Sequence, residues 1–410
     1  MSCSTIKAIH AINSLGARTG GPARSSVYLS GAIGCLPQNL AVDLVAGKNE
    51  GKHGEVAVKN AKGVELNLIP QRFLLDFIFI MQFIYAMHRL IKKNKGHTVV
   101  IHTHGIWDIT HVLSSFMAFL YRVPLIVSPR GMLMPLSMEI KSVKKKLAWV
   151  TYERFIIKRC AGFLVTSEDE FQSVRRISNK PIAVIPNGVP LPITTAGKQL
   201  YDENEKLVFG ETKRSGEKVL LYLSRLHPQK NIESLLKAWS SLKSQKMLEN
   251  WRLYVVGPGS ESYRRELISM TVCDGCQTDI TFFDEASEEE KQHFFDVSSA
   301  FILPSYSENF GISVAEAMIN GMPIIATTGT PWEIISEKRI GWYVAPDSEA
   351  IAGALKSLQY LSDKEIEEYG ERARTFALEN FQWNIIGEKV SIFYRFMFGD
   401  KEDKPLFIRD

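Results

Sequence analysis

The sequence predicts an α/β protein with two domains, each built on a doubly wound parallel sheet. The chain has 410 residues, which is too long for one compact core and fits two domains of roughly 200 residues. Short apolar segments alternate with helical ones in both halves of the chain. Between the halves, a stretch rich in Pro, Gly, Thr and charge has little pattern, and this indicates a linker.

The expected domain boundaries follow from this alternation. We expect an N-terminal Rossmann-like domain over 1–190, a linker over 191–217 and a C-terminal Rossmann-like domain over 218–379. We also expect a helix at about 380–398 that packs back on the first domain. Two such domains predict a cleft that faces the carboxyl ends of both sheets, where open α/β folds bind ligands.

In the first half, four apolar segments are typical of buried parallel strands with functional groups at their carboxyl ends. A Gly-rich loop, Gly16–Gly21, follows the first, and a helix is expected from about Ser25. The predicted strands are 6–12, 99–104, 124–128 and 162–166. In the second half the predicted strands are 218–223, 251–257, 279–283, 300–304 and 323–327.

Composition excludes disorder and gives no sign of nucleic-acid binding. Hydrophobic residues make up 45% of the chain and charged residues 23%, the balance of a globular protein. The net charge is only +4. The five scattered cysteines are typical of reduced thiols in the cytoplasm, and Cys273-x-x-Cys276 lacks the second pair that a zinc site would need.

The chain opens on Met1–Thr5 without a signal peptide, which also predicts a cytoplasmic protein. Its most hydrophobic stretch, Phe73–Met87, is shorter than the ~20 residues that span a bilayer and contains Asp76 and Gln82. A buried or membrane-surface helix is therefore expected there.

Basic residues cluster at 88–95 and again at 141–146, where four of six residues are lysine. Such clusters are either solvated helix faces or surfaces that contact anionic lipid. The acidic cluster Ser167–Glu170 could suggest metal binding, but a capping box explains it more simply, with Ser167 as N-cap and Glu170 three residues later.

The segment Ser305–Met318 is the sharpest candidate for a functional site, because it follows a predicted strand and opens a helix. Gly311 leaves backbone amides open near the helix start, which suits a diphosphate. Glu308 and Glu316 could accept hydrogen bonds from sugar hydroxyls. Alternatively, one is a helix cap and the other a surface residue.

Two further loops could contact a phosphate. Arg225 and Lys230 place two cations in the loop after the strand at 218–223, where they could neutralise a diphosphate leaving group. They could equally be two exposed surface cations. Gly20 and Gly21 would let the backbone approach a ligand closely, although a simple turn is the default interpretation.

Together these motifs resemble retaining glycosyltransferases of family 4, which have the two-domain GT-B architecture. The resemblance runs in order along nearly the whole chain: Gly20-Gly21, Pro186–Val189, Arg225 with Lys230, Glu308-x7-Glu316 and Gln382-Trp383. The Glu-x7-Glu pattern around Asn309-Phe310-Gly311 is its most specific part. The segments His102–Trp107 and Ser128–Leu133 look like the branch that builds bacterial surface polysaccharides.

The resemblance implies a role for each matched residue. Arg225 and Lys230 would hold the donor diphosphate, Glu316 would bind the ribose and Glu308 would lie beside the transferred sugar. Asn309, Phe310 and Gly311 would offer backbone contacts. The family needs no metal or other cofactor, the donor is an NDP-sugar, and the acceptor is a saccharide, here expected on a polyprenyl diphosphate at the inner face of the cell membrane.

The sequence departs from the family at one position. Many members carry a histidine after the strand equivalent to 124–128, where this chain has Pro129-Arg130-Gly131. His104 could replace it, or Arg130 could meet a phosphate, and His104 could also be a plain core histidine. Arg130, His102 and Trp107 are candidates for the acceptor side.

Two other functions bind the same class of ligand. A nucleotide-sugar 2-epimerase has the same architecture, and a non-catalytic nucleotide-sugar-binding protein would also keep a donor site. The Glu308-x7-Glu316 pair favours transfer over epimerisation, and the intact Arg225, Lys230 and glutamates argue against a decayed site. The donor base, the sugar and the linkage are not predicted.

Overall fold

The structure is a computed structural model that describes residues 5–16, 21–36, 40–48, 63–70, 77–139, 142–192, 216–273, 276, 278–399 and 404–409. The chain divides into two compact units. Unit 1 comprises Met1–Gly188 together with Phe381–Asp410, and unit 2 comprises Val189–Asn380. Most of the predicted linker lies outside the described residues.

The described residues form two sheets. The strands are β1 Ile6–Ser14, β2 Leu40–Lys48, β3 Val64–Pro70, β4 Thr98–His104, β5 Leu125–Ser128, β6 Gly162–Val165, β7 Ile182–Val184, β8 Lys218–Leu223, β9 Trp251–Val256, β10 Ile280–Phe283, β11 Ala300–Leu303, β12 Ile324–Thr327, β13 Gly341–Val344 and β14 Ile408–Arg409. All nine predicted strands are present, with ends shifted by one or two residues.

Helices connect most of these strands. They are α1 Gly21–Gly34, α2 Phe77–Lys93, α3 Ile109–Tyr121, α4 Pro135–Glu139, α5 Ser142–Ala148, α6 Arg154–Arg159, α7 Glu168–Arg175, α8 Ile232–Ser244, α9 Glu261–Cys273, α10 Glu288–Val297, α11 Ile312–Ile319, α12 Ile334–Glu337, α13 Ser348–Gln359, α14 Asp363–Asn380 and α15 Trp383–Phe398. A π-helical segment, Trp149–Glu153, joins α5 to α6, and a 3-10 turn, Pro228–Lys230, precedes α8. No helix in the described part of the chain is long and apolar enough to cross a bilayer.

Both sheets are doubly wound. In unit 1 the strand order is β14-β7-β6-β5-β4-β1-β2-β3, and only the short edge strand β14 is antiparallel to its neighbour. In unit 2 the order is β10-β9-β8-β11-β12-β13, and every pair is parallel. The direction of winding reverses between β1 and β4 in unit 1 and between β8 and β11 in unit 2. Ligands of such sheets bind at these switch points, outside the carboxyl ends of the strands.

Side-chain alternation sorts the core of unit 1 into two layers. Ile9, Ile101 and Val127 pack with α2 and α3 on one face of the sheet. Ala8 and Val100 pack with α1 and α15 on the other face. Because successive strand residues point to opposite faces, His10, His102 and His104 share the α1/α15 face.

The helix α15 belongs to unit 1, although it lies at the far end of the chain. Trp383 stacks on Tyr28 of α1 with ring centroids 5.6 Å apart. Gly387 lies so close to α1 that an added Cβ would be 3.0 Å from the Cβ of Ala32. Phe393 and Tyr394 are fully buried in the layer that α15 shares with α1.

The helix after β1 starts earlier than expected. It was predicted from about Ser25, but α1 begins at Gly21. Pro22 fits the first turn because that turn needs no amide donor there, and the Ser25 hydroxyl donates to the Pro22 carbonyl at 3.2 Å.

Candidate active site

In unit 2, the loops that leave β8 and β11 lie side by side at the switch point, because these two strands are neighbours. The amide of Tyr306 donates to the carbonyl of Gln229 at 3.0 Å and joins one loop to the other. Asn231 fastens them further: its side-chain amide donates to the carbonyls of Pro304 at 2.9 Å and Pro346 at 2.7 Å. Asn231 adopts the left-handed conformation that asparagine tolerates, with φ of 58°.

An ion pair between Lys230 and Glu308 is the chemical centre of these loops. The Lys230 ammonium contacts Glu308 Oε1, and the two side chains are only 12% and 11% exposed. The Ser305 hydroxyl donates to the same carboxylate oxygen at 2.8 Å, and the amide of Glu308 donates to the carbonyl of Gly329 at 2.8 Å. The carboxylate is therefore held in one place by its own backbone and by two donors.

Arg225 lies in the same loop as Lys230 but is exposed. Its backbone carbonyl accepts a hydrogen bond from the Tyr222 hydroxyl at 3.0 Å, which fixes the start of the loop. Burial raises the pKa of Tyr222 well above its usual range, so this hydroxyl stays a donor. Arg225 is therefore as exposed as a plain surface cation would be, whereas Lys230 is too little exposed for that interpretation.

The helix α11 begins at Ile312, and its N-cap residue, Gly311, provides no side-chain cap. Gly311 has φ of 72°, and a side chain there would press on Leu303 and Trp332. The carbonyl of Phe310 accepts from Trp332 Nε1 at 2.6 Å, and Phe310 itself is buried, whereas Asn309 is partly exposed. The first amides of α11 therefore lie at a rigid loop and can receive an anion.

The structural alternatives for the two glutamates are wrong. Gly311, not Glu308, is the N-cap of α11. Glu316 is not a surface residue, since it is only 5% exposed on the inner face of α11. Burial of a carboxylate costs free energy, so solvation alone would leave Glu308 and Glu316 exposed to water.

In unit 1, three buried histidines form one hydrogen-bonded network at the switch point between β1 and β4. His10 Nε2 lies 2.9 Å and His102 Nδ1 lies 2.5 Å from the hydroxyl of Tyr394 on α15. His104 Nε2 lies 3.2 Å from His10 Nδ1, and Ser128 Oγ lies 2.8 Å from His102 Nε2. The sequence analysis missed His10 and Tyr394; a histidine inside an otherwise apolar strand was the available signal.

Arg130 closes this network at the carboxyl end of β5. Its Nη2 lies 2.9 Å from His104 Nδ1, and its Nη1 donates to Asn187 Oδ1 at 2.8 Å. Its backbone is left-handed, with φ of 56°. The next amide, that of Gly131, donates to the buried carboxylate of Glu170, which also accepts from the Thr166 amide at 2.8 Å.

Burial keeps the histidines neutral. Burial, and to a smaller extent the Arg130 charge, lowers the pKa of His10 to about 3. The pKa values of His102 and His104 lie well below the usual range for the same reason. Burial also lowers the pKa of Arg130, to about 10, although Glu170 opposes this shift. Arg130 therefore remains the one cation of this group at neutral pH.

These three histidines are the only group of possible metal ligands found among the described residues. Both ring nitrogens of each have hydrogen-bond partners in the network, and the cation Arg130 adjoins it. This arrangement suits a neutral hydrogen-bonded network better than a site for a second cation.

The remaining predicted residues have simpler settings. Trp107 is partly buried, with its ring 6.4 Å from that of Trp149. Gly21 starts α1 with open space around it, whereas Gly20 lies outside the described residues. Ser167 caps α7 by accepting from the Glu170 amide, so the N-cap half of the predicted capping box is confirmed, while the Glu170 carboxylate accepts from the amides of Thr166 and Gly131. Cys276 is a buried thiol, and the side chain of Cys273 lies outside the described residues.

Two doubly wound parallel-sheet units with polar loops at their switch points define the GT-B class of glycosyltransferases. Two family models match the chain in tandem: "Glycosyltransferase Family 4" over residues 20–191 and "Glycosyl transferases group 1" over residues 203–376. Together they cover most of the chain, and it belongs to glycosyltransferase family 4.

Among similar proteins is the D-inositol 3-phosphate glycosyltransferase of Corynebacterium diphtheriae, 26% identical over 56% of this chain and 54% of that protein. The O-antigen chain mannosyltransferase of Salmonella typhimurium is 27% identical over 52% of this chain and 56% of its own. The aligned regions thus span about half the length, or less, of these curated relatives. The fold matches Anabaena HepE in complex with UDP-glucose, with a TM-score of 0.71, 15% identity and coverage of 94% of this chain and 98% of that one.

Proposed function

We propose that this protein is a retaining, metal-independent glycosyltransferase. It moves a sugar from an NDP-sugar to a saccharide acceptor carried on a polyprenyl diphosphate, in bacterial polysaccharide biosynthesis. The observation that carries the proposal is the Lys230–Glu308 pair at the switch point of unit 2, held at the start of α11 and poorly exposed. The family membership and the binding of UDP-glucose by HepE support a nucleotide sugar as donor.

The loops of unit 2 supply what departure of a nucleotide diphosphate needs. Lys230 and Arg225 neutralise the charge that grows on the leaving diphosphate, which is the work a metal ion does elsewhere. The first amides of α11, with Asn309, Phe310 and Gly311, add dipoles directed at the same anion. Glu316 accepts hydrogen bonds from the ribose hydroxyls.

Glu308 acts beside the transferred sugar. Its carboxylate is fixed by Ser305 and Lys230, so it is oriented before the sugar arrives. The acceptor hydroxyl attacks the anomeric carbon on the face from which the diphosphate departs, and the configuration is retained without an enzyme nucleophile. Arg130 is positioned by His104 and Asn187 and offers a further cation for a phosphate or for the acceptor. His102 and Trp107 are proposed on the acceptor side as well.

The surface of unit 1 supports a lipid-linked acceptor. Of 17 large hydrophobic side chains exposed among the described residues, 11 lie between Phe77 and Phe155. Exposed apolar side chains that concentrate in one segment favour an interaction site there, and several lysines and arginines of the same segment would attract anionic lipid. We therefore place the protein in the cytoplasm, peripherally on the inner face of the cell membrane.

A thermal-shift panel of UDP-, GDP-, ADP- and dTDP-sugars identifies the donor, because a ligand that binds only the folded state raises the melting temperature. Transfer with that donor is then followed by NMR of the product. An α-linked product from an α-linked donor supports retention, and inversion would contradict it. Formation of a C2 epimer without any acceptor would instead indicate an epimerase, and binding without turnover a non-catalytic protein.

A further inference from the structure

Unit 1 contains an apolar cavity that the donor chemistry does not use. Its volume is about 480 Å³, within the ~300–1,000 Å³ range of small-molecule sites. It lies between the segment that follows β5, the π-helical segment and the end of α7. The apolar residues that line it are Leu133, Pro135, Met138, Trp149, Val150 and Ile177.

Two cations also line this cavity, Lys146 and Arg176. Both are exposed at the surface, so their charges stay hydrated while their stems border the apolar wall. Among the described residues, Ser173 is the only other polar side chain that lines the cavity. None of these lining residues is acidic, so the charge of the cavity matches an anionic head group on a hydrocarbon body.

The cavity is continuous with an exposed apolar stripe. Val143, Leu147 and Val150 recur at the spacing of one helical face and are 79%, 67% and 79% exposed. Val150 belongs to both the stripe and the cavity wall. A hydrocarbon chain could therefore pass from a membrane under the stripe into the cavity without entering water.

The π-helical segment shapes the wall of the cavity. Trp149 and Val150 begin this segment, and single π turns inside helices are often found at functional sites. The segment is anchored at its other end, where buried Glu153 accepts from buried His111 at 3.1 Å. The Glu153–His111 contact fixes the position of the π-helical segment, although neither residue lines the cavity.

We propose that this cavity binds the head-proximal part of the hydrocarbon chain of a polyprenyl diphosphate, with Lys146 and Arg176 on the diphosphate. The proposal rests on the proposed function and assigns the lipid site of its acceptor. The cavity takes the chain and the two cations hold the anion at the rim.

Calorimetric titration with three probes tests this proposal on the full chain: farnesyl diphosphate, farnesol and inorganic diphosphate, each below the concentration at which it aggregates. Farnesyl diphosphate should bind at least about tenfold more tightly than either part alone, because only it contacts both wall and rim. The double substitution Lys146→Ala with Arg176→Ala should weaken farnesyl diphosphate about tenfold or more and leave farnesol nearly unchanged. The matched control Lys356→Ala with Arg374→Ala, on exposed positions of unit 2, should change neither.

Two variants test the cavity itself. Ser173→Trp should fill it and weaken both farnesyl diphosphate and farnesol; if that variant does not fold, Val150→Asp at a highly exposed position serves instead. Equal affinity for inorganic diphosphate and farnesyl diphosphate would overturn the proposal, as would wild-type binding by these variants. NDP-sugar affinity, measured in the same samples, separates the proposed lipid site from the proposed function. If the donor binds but farnesyl diphosphate does not, only the lipid site in the cavity is refuted.

Discussion

Lys230 and Glu308 are 78 residues apart in the chain, yet their side chains form an ion pair that joins the loops after two neighbouring strands. The pair adds a side-chain contact to the Tyr306–Gln229 hydrogen bond, so the two loops are joined before any ligand binds. Glu308 Oε1 also accepts from Ser305, so the ammonium shares this oxygen with a second donor from the loop after β11. Donor binding is therefore expected to depend on both loops at once.

Removal of either cation should weaken transfer. We expect Arg225→Ala and Lys230→Ala each to lower kcat/KM by an amount equivalent to a few kcal/mol, since phosphate charge is left uncompensated in a partly desolvated site. Lys237→Ala and Arg265→Ala, at exposed helix positions, are the matched controls. Activity within twofold of the unsubstituted protein in both test variants would contradict the proposal that Arg225 and Lys230 hold the donor diphosphate.

The two glutamates should differ in effect. Glu316→Ala should mainly weaken nucleotide binding, and Glu308→Ala should mainly slow turnover, because only Glu308 is proposed beside the sugar. Calorimetry with the nucleoside diphosphate and single-turnover kinetics separate these effects. Since Glu308→Ala also strips Lys230 of its partner, Glu308→Gln serves as the variant that keeps the shape. An unchanged turnover rate in both Glu308 variants would show that this residue does not act beside the transferred sugar.

Transfer should proceed without a divalent cation. In the proposed function Lys230 and Arg225 supply positive charge at the diphosphate, so chelation with EDTA should leave the rate unchanged within error. The assay compares EDTA-treated protein with and without added magnesium or manganese. Loss of activity in EDTA that either ion restores would show that the cations of the protein do not suffice.

Stability should fall as the pH is lowered. His10, with a folded-state pKa of about 3, and its neighbours His102 and His104 stay neutral in the folded protein. Below about pH 6.5 the unfolded chain binds protons that the folded chain does not, at a cost of about 1.4 kcal/mol per pH unit and histidine. Stability is therefore full above pH 6.5 and declines from there toward the lowered pKa values.

Denaturant melts between pH 7.5 and pH 5 measure this decline. His102→Gln should reduce the slope of stability against pH, whatever it does to stability at pH 7.5. The exposed His97→Gln is the control and should leave the slope unchanged. A slope equal in all three proteins would mean that the buried histidines do not titrate as inferred.

Vesicle binding should require anionic lipid and weaken with salt. A basic residue near such a surface contributes on the order of 1 kcal/mol, and salt screens it. Replacement of Lys144, Lys145 and Lys146 by Glu should release the protein from the vesicles in a co-sedimentation series. Leu147→Asp should remove the apolar contribution to vesicle binding. Leu406→Asp, at a position that is 99% exposed, is the control. Equal recovery in the supernatant with neutral and anionic vesicles at low salt would refute membrane binding.

Local patterns predicted much of this fold. Each predicted strand is an apolar run closed by polar residues, and such runs reveal buried parallel strands because both their faces are covered. Five strands of the described residues were missed: β2, β3, β7 and β14 in unit 1, and β13 in unit 2, whose residues are all partly exposed. Their pairing depends on neighbours rather than on their own composition.

The long-range contacts of the site could not be predicted. The loop residues Lys230 and Glu308 were identified, but their direct pairing depends on β8 and β11 being neighbours, which one sequence does not reveal. Likewise, His104 was expected either in the core or in catalysis, and the structure places it in a buried network that positions Arg130. Tyr394 carries no local signal at all, because its partners lie 292 and 384 residues away.

The contact of Tyr394 with His10 and His102 has a consequence for biosynthesis. A ribosome makes β1 and β4 before unit 2, but α15, the helix that covers them, is made after unit 2, so unit 1 cannot complete its core until all of unit 2 has emerged. Unit 2 is a continuous segment and is released before that helix exists. The usual order, in which amino-terminal domains fold first during synthesis, should therefore be reversed in this protein. The half-built sheet of unit 1 would need protection from aggregation during that interval.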